Sequence, residues 1–402
     1  MLTPAEIRDA ATAIAGRVIR TPVVYSPTFS AMTGARVYLK LENLQKGGSF
    51  KVRGATFMIH TLKGRIGPRG VIAASAGNHA QGVAIAARDA GISATIVMPE
   101  WVSISKEAAT RCYGADVILY GHSLDESIGH ARERESAGYT FIHPFDEAAV
   151  IAGQGTVGLE ICEDLPDTDM IIVPVGGGGL IAGIATAAKA HNREIRVIGA
   201  EALSCPSYSE AKKQGRPVRV PVSPSIADGI MVNPVGDLPF SVMQALVDDV
   251  VLVDEPDIIR AVNLVLERKK VLAEGAGVVG LAALLAGLVP VTPGSTVVVV
   301  ISGGNIDSPL LDRILRHGLL ASDRILHLSV TIDDEAGTLA RLLALIAGER
   351  ANILHIRHTR SDRSLPLRTV RMEIELETRG AAHNEAIVEA VRHGGYDVGP
   401  AS

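Results

Sequence analysis

Two uninterrupted apolar segments, each followed directly by small residues, constrain the fold of this chain most strongly. IIVPV at residues 171–175 precedes four glycines, and TVVVVI at residues 296–301 precedes SGG. Strands of a parallel sheet are buried on both faces and therefore read as continuous Val/Ile segments. Glycines after such a strand permit a tight turn whose backbone N–H groups can face an anion. The pattern predicts an α/β protein with parallel sheets and ligand-binding loops.

The same alternation of short apolar segments and helical segments fills most of the chain. It extends from residue 37 to about 143, and again from about 149 to 317. This order is typical of β–α–β units in open parallel sheets. We predict a two-domain core over residues 1–318, with a small subdomain of about residues 50–145 inserted in the larger one.

The last part of the chain has a different pattern. After a linker at residues 319–324, the alternating segment ILHLSVTIDD is followed by an amphipathic helix, two more alternating segments and a second helix. A final short strand is expected at residues 396–398. This order predicts a separate ferredoxin-like α+β domain over residues 325–402.

Composition and charge exclude several classes of function. The net charge is −5 and no basic stripe occurs, so nucleic acid is not an expected partner. The three cysteines are scattered without metal-ligand spacing, which fits a reducing cytoplasm. The first residues lack a signal sequence, and the longest apolar segment, residues 277–291, is Gly-rich and ends near a proline. A buried helix is predicted there, and no membrane partner.

Lys51 stands in the segment SFKVRGA, between Phe50 and the start of a predicted helix. A lysine at this place is either a solvated charge or a buried amine that forms a Schiff base with a carbonyl cofactor. The second role requires a lowered pKa, which burial produces. Phe50 would then cover one face of a flat ring.

Three loops that follow predicted strands offer further ligand groups. SAGNHAQG at residues 75–82 begins a helix with hydroxyl and amide groups, although His79 could simply be satisfied by backbone. ISGGN at residues 301–305 places Ser302 at the carboxyl end of a strand, where open α/β sheets bind ligands.

The third loop, VGGGGLIAG at residues 175–183, has two interpretations. It can hold a phosphate at a helix N-terminus. Gly177, Gly179 and Ala182 also fit the G-x-G-x-x-A fingerprint of NAD-binding proteins, with Glu201 near the position of a ribose-binding acid. The fingerprint alone does not account for Lys51 or for the other loops.

Together the patterns resemble the threonine dehydratase family of the tryptophan-synthase-β-like (fold type II) pyridoxal-phosphate (PLP) enzymes. The matching motifs include LENLQKGGSFKVRGA, SAGNHAQGVA, VIAGQGTVGLEI, IIVPVGGGGLIAGIA, AEGAG and ISGGN, in family order from about residue 5 to 318. Residues 325–402 resemble an ACT domain, a small amino-acid-sensing module. The combination favours PLP over NAD.

The resemblance implies a role for each loop. Lys51 would form the Schiff base with PLP and act as the base at the substrate α-carbon. The implied cofactor contacts are Phe50, Lys51, Asn78, Gly176, Gly177, Gly178, Gly179, Leu180 and Ser302. The implied substrate contacts are Ser75, Ala76, Gly77, Asn78 and His79. Serine racemases of the family carry a serine where this chain has Ala76, so racemisation should be minor.

The activity that the resemblance implies is α,β-elimination from L-threonine, giving 2-oxobutanoate and ammonia, the first step towards isoleucine. The alternatives are an L-serine dehydratase and a non-catalytic amino-acid-sensing protein. The resemblance also implies a homo-oligomer, either a dimer or a tetramer, with the tetramer favoured.

Three further sets of residues have open assignments. A monovalent or divalent cation near Glu201, Cys205 and Ser207 is as plausible as no metal, since Ser207 replaces a family Asp. Glu274 is either near the pocket or only a helix N-terminal acid. Effector contacts, for isoleucine or an antagonistic valine, are expected at Gly337, Thr338, Asn352 and Ile353, unless the domain serves only in oligomer packing.

Overall fold

The computed structural model describes residues 2–360 and 365–399. The chain divides into two compact units, Met1–Leu310 and Leu311–Ser402. The predicted fold class is confirmed: the first unit is α/β with parallel sheets, and the described part of residues 325–399 in the second unit forms an antiparallel sheet with two helices. Among the described residues, no helix is long and apolar enough to cross a membrane.

The strands fall into three sheets. In chain order they are β1 (Val23–Tyr25), β2 (Arg36–Leu41), β3 (Val71–Ala74), β4 (Ala94–Met98), β5 (Asp116–Leu119), β6 (Thr140–Phe141), β7 (Met170–Pro174), β8 (Arg196–Ala202), β9 (Asp249–Val253), β10 (Thr296–Ile301), β11 (Ile325–Asp333), β12 (Asn352–Thr359), β13 (Thr369–Glu377) and β14 (Asp397–Gly399).

The helices occupy most of the segments between strands. In chain order they are α1 (Pro4–Ile14), α2 (Pro27–Thr33), α3 (Lys51–Thr61), α4 (Asn78–Ala90), α5 (Ile104–Cys112), α6 (Leu124–Glu133), α7 (Ala148–Asp164), α8 (Gly179–His191), α9 (Ser207–Gln214), α10 (Asp237–Leu246), α11 (Glu255–Leu264), α12 (Gly275–Leu285), α13 (Ser308–Ala321), α14 (Thr338–Gly348) and α15 (Ala381–His393).

The larger sheet of the first unit has six strands in the order β1-β2-β10-β7-β8-β9. Only β1 is antiparallel to its neighbour. Every residue of β7 and β10 is buried, as their continuous apolar sequences predict. Because parallel strands end at the same edge, the loops after β7 and β10 lie side by side.

The smaller sheet has the order β5-β4-β3-β6, and all its pairs are parallel. Its core is built largely from Ala, Val and Ile of β3, β4 and the facing helices α3 and α4. The loop after β3 contains residues 75–77 and leads directly into α4. The smaller sheet thereby supplies a third ligand loop.

Local sequence signals account for several helix starts. Thr3 and Glu6 form a reciprocal capping box at α1, with Pro4 at the first helical position. Ser103 and Ser123 cap α5 and α6 by accepting backbone N–H groups. The Gly-rich apolar segment near residue 277 forms α12, whose first ten residues are all buried. The buried helix predicted there is confirmed.

The second unit has the connectivity β11-α14-β12-β13-α15-β14 and the sheet order β12-β13-β11-β14, which is that of a ferredoxin-like unit. Alternate residues of β13 face a core shared with both helices. The final strand predicted at residues 396–398 is present one residue later, at Asp397–Gly399. Residues 400–402, which the sequence assigns to the same domain, lie outside the described residues.

Candidate active site

Lys51 is the first residue of α3 and lies at the wall of a pocket between the two sheets of the first unit. Its Nζ donates to the carbonyl oxygen of Pro144 at 3.0 Å and lies 5.1 Å from the centroid of the Phe50 ring. Burial lowers the pKa of this amine to about 8, although the negative charge of Glu274 opposes the shift. Lys51 is thus a half-buried residue whose amine is enclosed in the pocket and is not a solvated surface charge.

The pocket brings the three loops together. All nine residues predicted to contact a cofactor line it, whereas only Asn78 of the predicted substrate loop does. The lining residues are Phe50, Lys51, Asn78, Pro144, Phe145, Gln154, Pro174, Gly176, Gly177, Gly178, Gly179, Leu180, Gly229, Ile230, Val232, Glu274, Ala276 and Ser302.

The glycine loop after β7 can be built only from glycine at its tightest points. Gly178 has a φ of 88°, and a Cβ there would lie 2.8 Å from Cβ of Pro239 and 2.9 Å from Sδ of Met243. A Cβ on Gly176 would lie 2.9 Å from Cα of Ile230. The loop leads into the N-terminus of α8, where unpaired N–H groups and the helix dipole favour an anion.

Ser302 directly follows β10 and is buried. Its backbone is fixed on both sides, because its carbonyl accepts the N–H of Phe50 at 3.2 Å and its N–H donates to Gly277 at 3.3 Å. Within residues 2–360 and 365–399, no hydrogen bond engages its hydroxyl. The hydroxyl is thus a free donor in the pocket wall.

Asn78 and Glu274 form the polar side of the pocket. Nδ2 of Asn78 donates to Oε1 of Glu274 at 2.6 Å, and Oδ1 of Asn78 accepts from Nδ2 of Asn305 at 2.8 Å. Burial raises the pKa of Glu274 to about 8, with the charge of Asp228 acting in the same direction. Glu274 directly precedes α12, but its side chain lines the pocket and makes no capping hydrogen bond to that helix.

The two histidines near the pocket are held neutral. Nε2 of His79 lies 3.1 Å from the carbonyl oxygen of Ile142, and burial lowers the His79 pKa to about 3. Burial also lowers the pKa of His143 to about 4, and its Nδ1 accepts the backbone N–H of Asp146 at 2.8 Å. The His79 ring is therefore satisfied by a backbone carbonyl, which is one of the two possibilities that the sequence left open. Its side chain does not line the pocket.

The rest of the predicted substrate loop surrounds the entrance to α4. Ser75 Oγ accepts the N–H of Gly77 at 3.1 Å, which bends the loop before Asn78. Ala76 is half-buried and packs against the core of the smaller sheet. These residues directly precede Asn78, which is the residue of this loop that lines the pocket.

Behind Lys51, four charged side chains form a buried cluster that we call the charge quartet: Lys40, Glu42, Arg53 and Glu160. Arg53 pairs with Oε1 of Glu42 at 2.8 Å and with Oε1 of Glu160 at 2.6 Å. Lys40 pairs with Oε2 of Glu160 at 2.5 Å. The quartet is electrically balanced and joins α3 to α7 and to the end of β2.

The residues at the possible cation position form hydrogen bonds within the protein. The Glu201 carboxylate accepts the N–H of Tyr208 at 2.6 Å and both the N–H and the hydroxyl of Ser209. The Ser207 hydroxyl donates to the carbonyl of Val232 at 2.6 Å, while Cys205 is buried beside it. Glu201 therefore serves the N-terminus of α9, and the described residues contain no cluster of three metal-ligating side chains.

In the second unit, the residues expected to contact an effector lie at the start of α14 and of β12. Gly337, with a φ of 90°, precedes α14, and the buried Thr338 accepts a hydrogen bond from Arg341 at 3.0 Å. Asn352 begins β12 and donates to Glu377 at 3.3 Å, and Ile353 follows it.

The donor set of the pocket fits PLP. The buried amine of Lys51 matches the aldehyde, and the amides at residues 176–180 match the phosphate. The Asn78 amide and the free Ser302 hydroxyl match the polar atoms of the ring. A family model described as "Pyridoxal-phosphate dependent enzyme" matches residues 14–303. The chain therefore belongs to the pyridoxal-phosphate-dependent enzyme family, and PLP is its cofactor.

Within this family the chain is similar to threonine-deaminating proteins. It is 47% identical over 399 residues to the L-threonine ammonia-lyase of Thermotoga maritima, covering 99% of each chain. A threonine deaminase isoform of Solanum lycopersicum has 36% identity and a TM-score of 0.73, over 78% of this chain and 93% of that one. Maize serine racemase has 38% identity and a TM-score of 0.74, over 80% and 98%.

Several residues of the site escape sequence reasoning. Asn305 lies in the quoted ISGGN segment, but nothing in its neighbours indicates that it meets Asn78, 227 residues earlier. Phe145 packs on Gly177 and lines the pocket without any signal beyond being aromatic. The charge quartet is also missed, although Arg53 lies only two residues beyond Lys51.

Proposed function

We propose that this protein is a PLP-dependent ammonia-lyase that converts L-threonine into 2-oxobutanoate and ammonia. The observation that carries the proposal is the buried Lys51 amine in a pocket whose other donors match PLP. Similarity to L-threonine ammonia-lyase over 99% of both chains supports the choice of reaction and substrate.

Lys51 has two tasks in this scheme. Only an uncharged amine can bond to the cofactor aldehyde or accept a proton, and a pKa of about 8 leaves a useful fraction of it uncharged near neutral pH. When bound, PLP stabilises the negative charge that develops at the α-carbon of an amino acid. Lys51 Nζ would then take the α-proton, and the β-hydroxyl would take up one proton in exchange and leave as water. Water would hydrolyse the released enamine, after tautomerisation, to 2-oxobutanoate and ammonia.

The other pocket residues would hold and orient the cofactor and the substrate. The N–H groups at residues 176–180 would bind the phosphate, and Phe50 would pack against the ring. The Ser302 hydroxyl would donate to the ring nitrogen, and a hydroxyl, unlike a carboxylate, would not favour protonation of that nitrogen. Ser75, Gly77 and His79 lie in the loop that would receive the substrate carboxylate, and His79 is neutral there.

Two other activities are candidates because specific observations favour them. L-Serine lacks only the γ-methyl group of threonine, and one methyl group discriminates substrates by about 1–3 kcal/mol. Similarity to maize serine racemase suggests racemisation, but Ala76 has no group that can exchange a proton. Elimination from threonine, with slower elimination from serine, is therefore the expected pattern.

The second unit is proposed to be an ACT domain that senses isoleucine, with valine as an antagonist. Its ferredoxin-like topology supports this assignment, and the effector would contact Gly337, Thr338, Asn352 and Ile353. The working form would be a cytoplasmic homo-oligomer, with a tetramer favoured. The domain limits expected from sequence, a core of residues 1–318 and a regulatory domain of 325–402, belong to the same proposal.

The test is 2-oxo acid release by the purified protein with PLP and either L-threonine or L-serine. The proposal predicts 2-oxobutanoate and equimolar ammonia from threonine, with at least tenfold higher kcat/KM than for serine. Suppression by isoleucine would support the sensing role. Pyruvate from serine without turnover of threonine would replace the proposed substrate, and no turnover of either amino acid by PLP-loaded protein would contradict the enzymatic proposal.

A further inference from the structure

Asn305 is tied to three oxygen atoms. Its Nδ2 donates to the carbonyl oxygen of Gly47 at 2.7 Å and to Oδ1 of Asn78 at 2.8 Å, with Oε1 of Gln81 more distant at 3.3 Å. A backbone carbonyl can only accept, so the atom of Asn305 that faces Gly47 must be the amide nitrogen. The orientation of the Asn305 side chain is therefore determined by the backbone.

The orientation of the Asn305 side chain in turn determines the orientation of the Asn78 amide. Because Asn305 presents a donor, Asn78 must face it with Oδ1, and Nδ2 of Asn78 must point the opposite way. On that side Nδ2 meets Oε1 of Glu274 at 2.6 Å. An amide nitrogen carries two hydrogens, so one remains for a ligand in the pocket that Asn78 lines.

The surroundings of Asn305 leave it no alternative position. Its neighbour Gly304 donates to the carbonyl of Gly48 at 2.9 Å, and its own backbone N–H bonds to Glu274. A Cβ on Gly48 would lie 2.4 Å from Oδ1 of Asn305, so a glycine is needed there to admit the side chain. Asn305 is thus fixed by two segments of the chain that also form the pocket.

We propose that Asn305 is a positioning residue that fixes the amide of Asn78 so that Nδ2, and not Oδ1, faces the ring oxygen of PLP. Asn305 itself does not line the pocket and acts only through Asn78. If Asn78 were reversed, its Nδ2 would face the donor Nδ2 of Asn305, and its Oδ1 would face the ring oxygen, so that two donors would oppose each other on one side and two acceptors on the other. The proposal rests on the proposed function, since it requires PLP in this pocket.

The first test compares PLP binding to apoprotein for wild type, Asn305→Ala and Asn305→Asp. Alanine removes the donor without adding charge, and aspartate replaces the amide nitrogen by an acceptor. Both should weaken PLP binding at least tenfold and shift the absorption band of the bound cofactor. Asn384→Asp is the matched control, because the Asn384 amide also donates to a backbone carbonyl but belongs to the second unit.

A double-mutant cycle then separates positioning from a general structural role. If Asn305 acts through Asn78, adding Asn305→Ala to Asn78→Ala should change neither PLP affinity nor the absorption band further. An effect exerted through Gly47 would persist in the Asn78→Ala background and would overturn the proposal, as would Asn305 variants that match wild type. If the wild type binds PLP and releases 2-oxobutanoate, and the Asn305 variants behave in the same way, only the inference about Asn305 is refuted. If the wild type binds no PLP, both the inference and the proposed function are refuted.

Discussion

Arg53 and Glu42 form an ion pair that is closed off from water, with Nη2 and Oε1 2.8 Å apart and no exposed surface on either side chain. Arg53 lies about half a helical turn after Lys51 in α3. The ion pair therefore stabilises the helix that carries the amine, on the side away from Lys51. A buried pair of this kind contributes mainly when it is complete, since removing one partner leaves the other charge unsolvated.

Replacing Arg53 by methionine should destabilise the protein by about 3–5 kcal/mol, because Glu42 and Glu160 would lose their main cationic partner. Arg20 provides the control: it pairs with Glu163 and Asp164 at the surface and is half-exposed, so Arg20→Ala should cost at most about 1 kcal/mol. Denaturant unfolding followed by circular dichroism measures both. Equal costs would contradict the account of the quartet.

The Gly178→Ala variant should bind PLP at least a hundredfold more weakly. A side chain at a φ of 88° costs about 1–2 kcal/mol, and the added Cβ would also collide with Pro239 and Met243. Gly287 has a φ of 73°, but a Cβ added there would meet nothing within 4 Å, so Gly287→Ala tests the backbone strain alone. PLP titration of the apoprotein should show a loss only for Gly178→Ala.

Glu274 should make the stability of PLP-free protein depend on pH. Its folded pKa, about 8, exceeds its ordinary value of 4.5, so the folded state holds the extra proton between these values. The resulting stabilisation is complete below pH 4.5 and is lost as pH rises towards 8, by on the order of a few kcal/mol. Glu274→Gln should flatten this part of the profile. Parallel profiles for wild type and Glu274→Gln would show that the carboxyl is not buried as described.

Ala76→Ser should add racemisation to the elimination activity. The family resemblance implies that racemases carry a serine at this position and use it as the base on the second face of the substrate, so the substitution would restore that hydroxyl. D-Serine formed from L-serine, measured by chiral chromatography, should rise at least tenfold over wild type. Ala190→Ser, on the exposed end of α8, should leave it unchanged. An Ala76→Ser enzyme that eliminates normally without forming D-serine would contradict the placement of Ala76.

The apolar pattern predicted the elements that carry the site, because elements that are buried on all sides have continuous apolar sequences. This holds for β7, β10 and α12. The presence of Lys51 and the glycine loop in the pocket was also predictable, since an enclosed amine and a tight turn restrict residue type locally. Contacts between distant loops leave no such trace. Asn305 and Asn78 meet only because β10 and β3 belong to different sheets whose loops face one pocket.

The hydrogen bonds of Glu201 illustrate the same limit. Sequence spacing could not reveal that Tyr208 and Ser209 turn their N–H groups onto this carboxylate at the start of α9. The sequence alone does not distinguish an acidic residue after a strand that binds a metal from one that caps the next helix. The distinction depends on the direction of the next segment of chain.

The central claim is that Lys51 is the residue to which PLP is bonded. Borohydride reduction of the PLP-loaded protein, followed by tryptic digestion and mass spectrometry, locates the attachment directly. The account predicts a single reduced phosphopyridoxyl group, on the peptide that contains Lys51. Modification of another lysine in the native protein, or no modification at all, would contradict it.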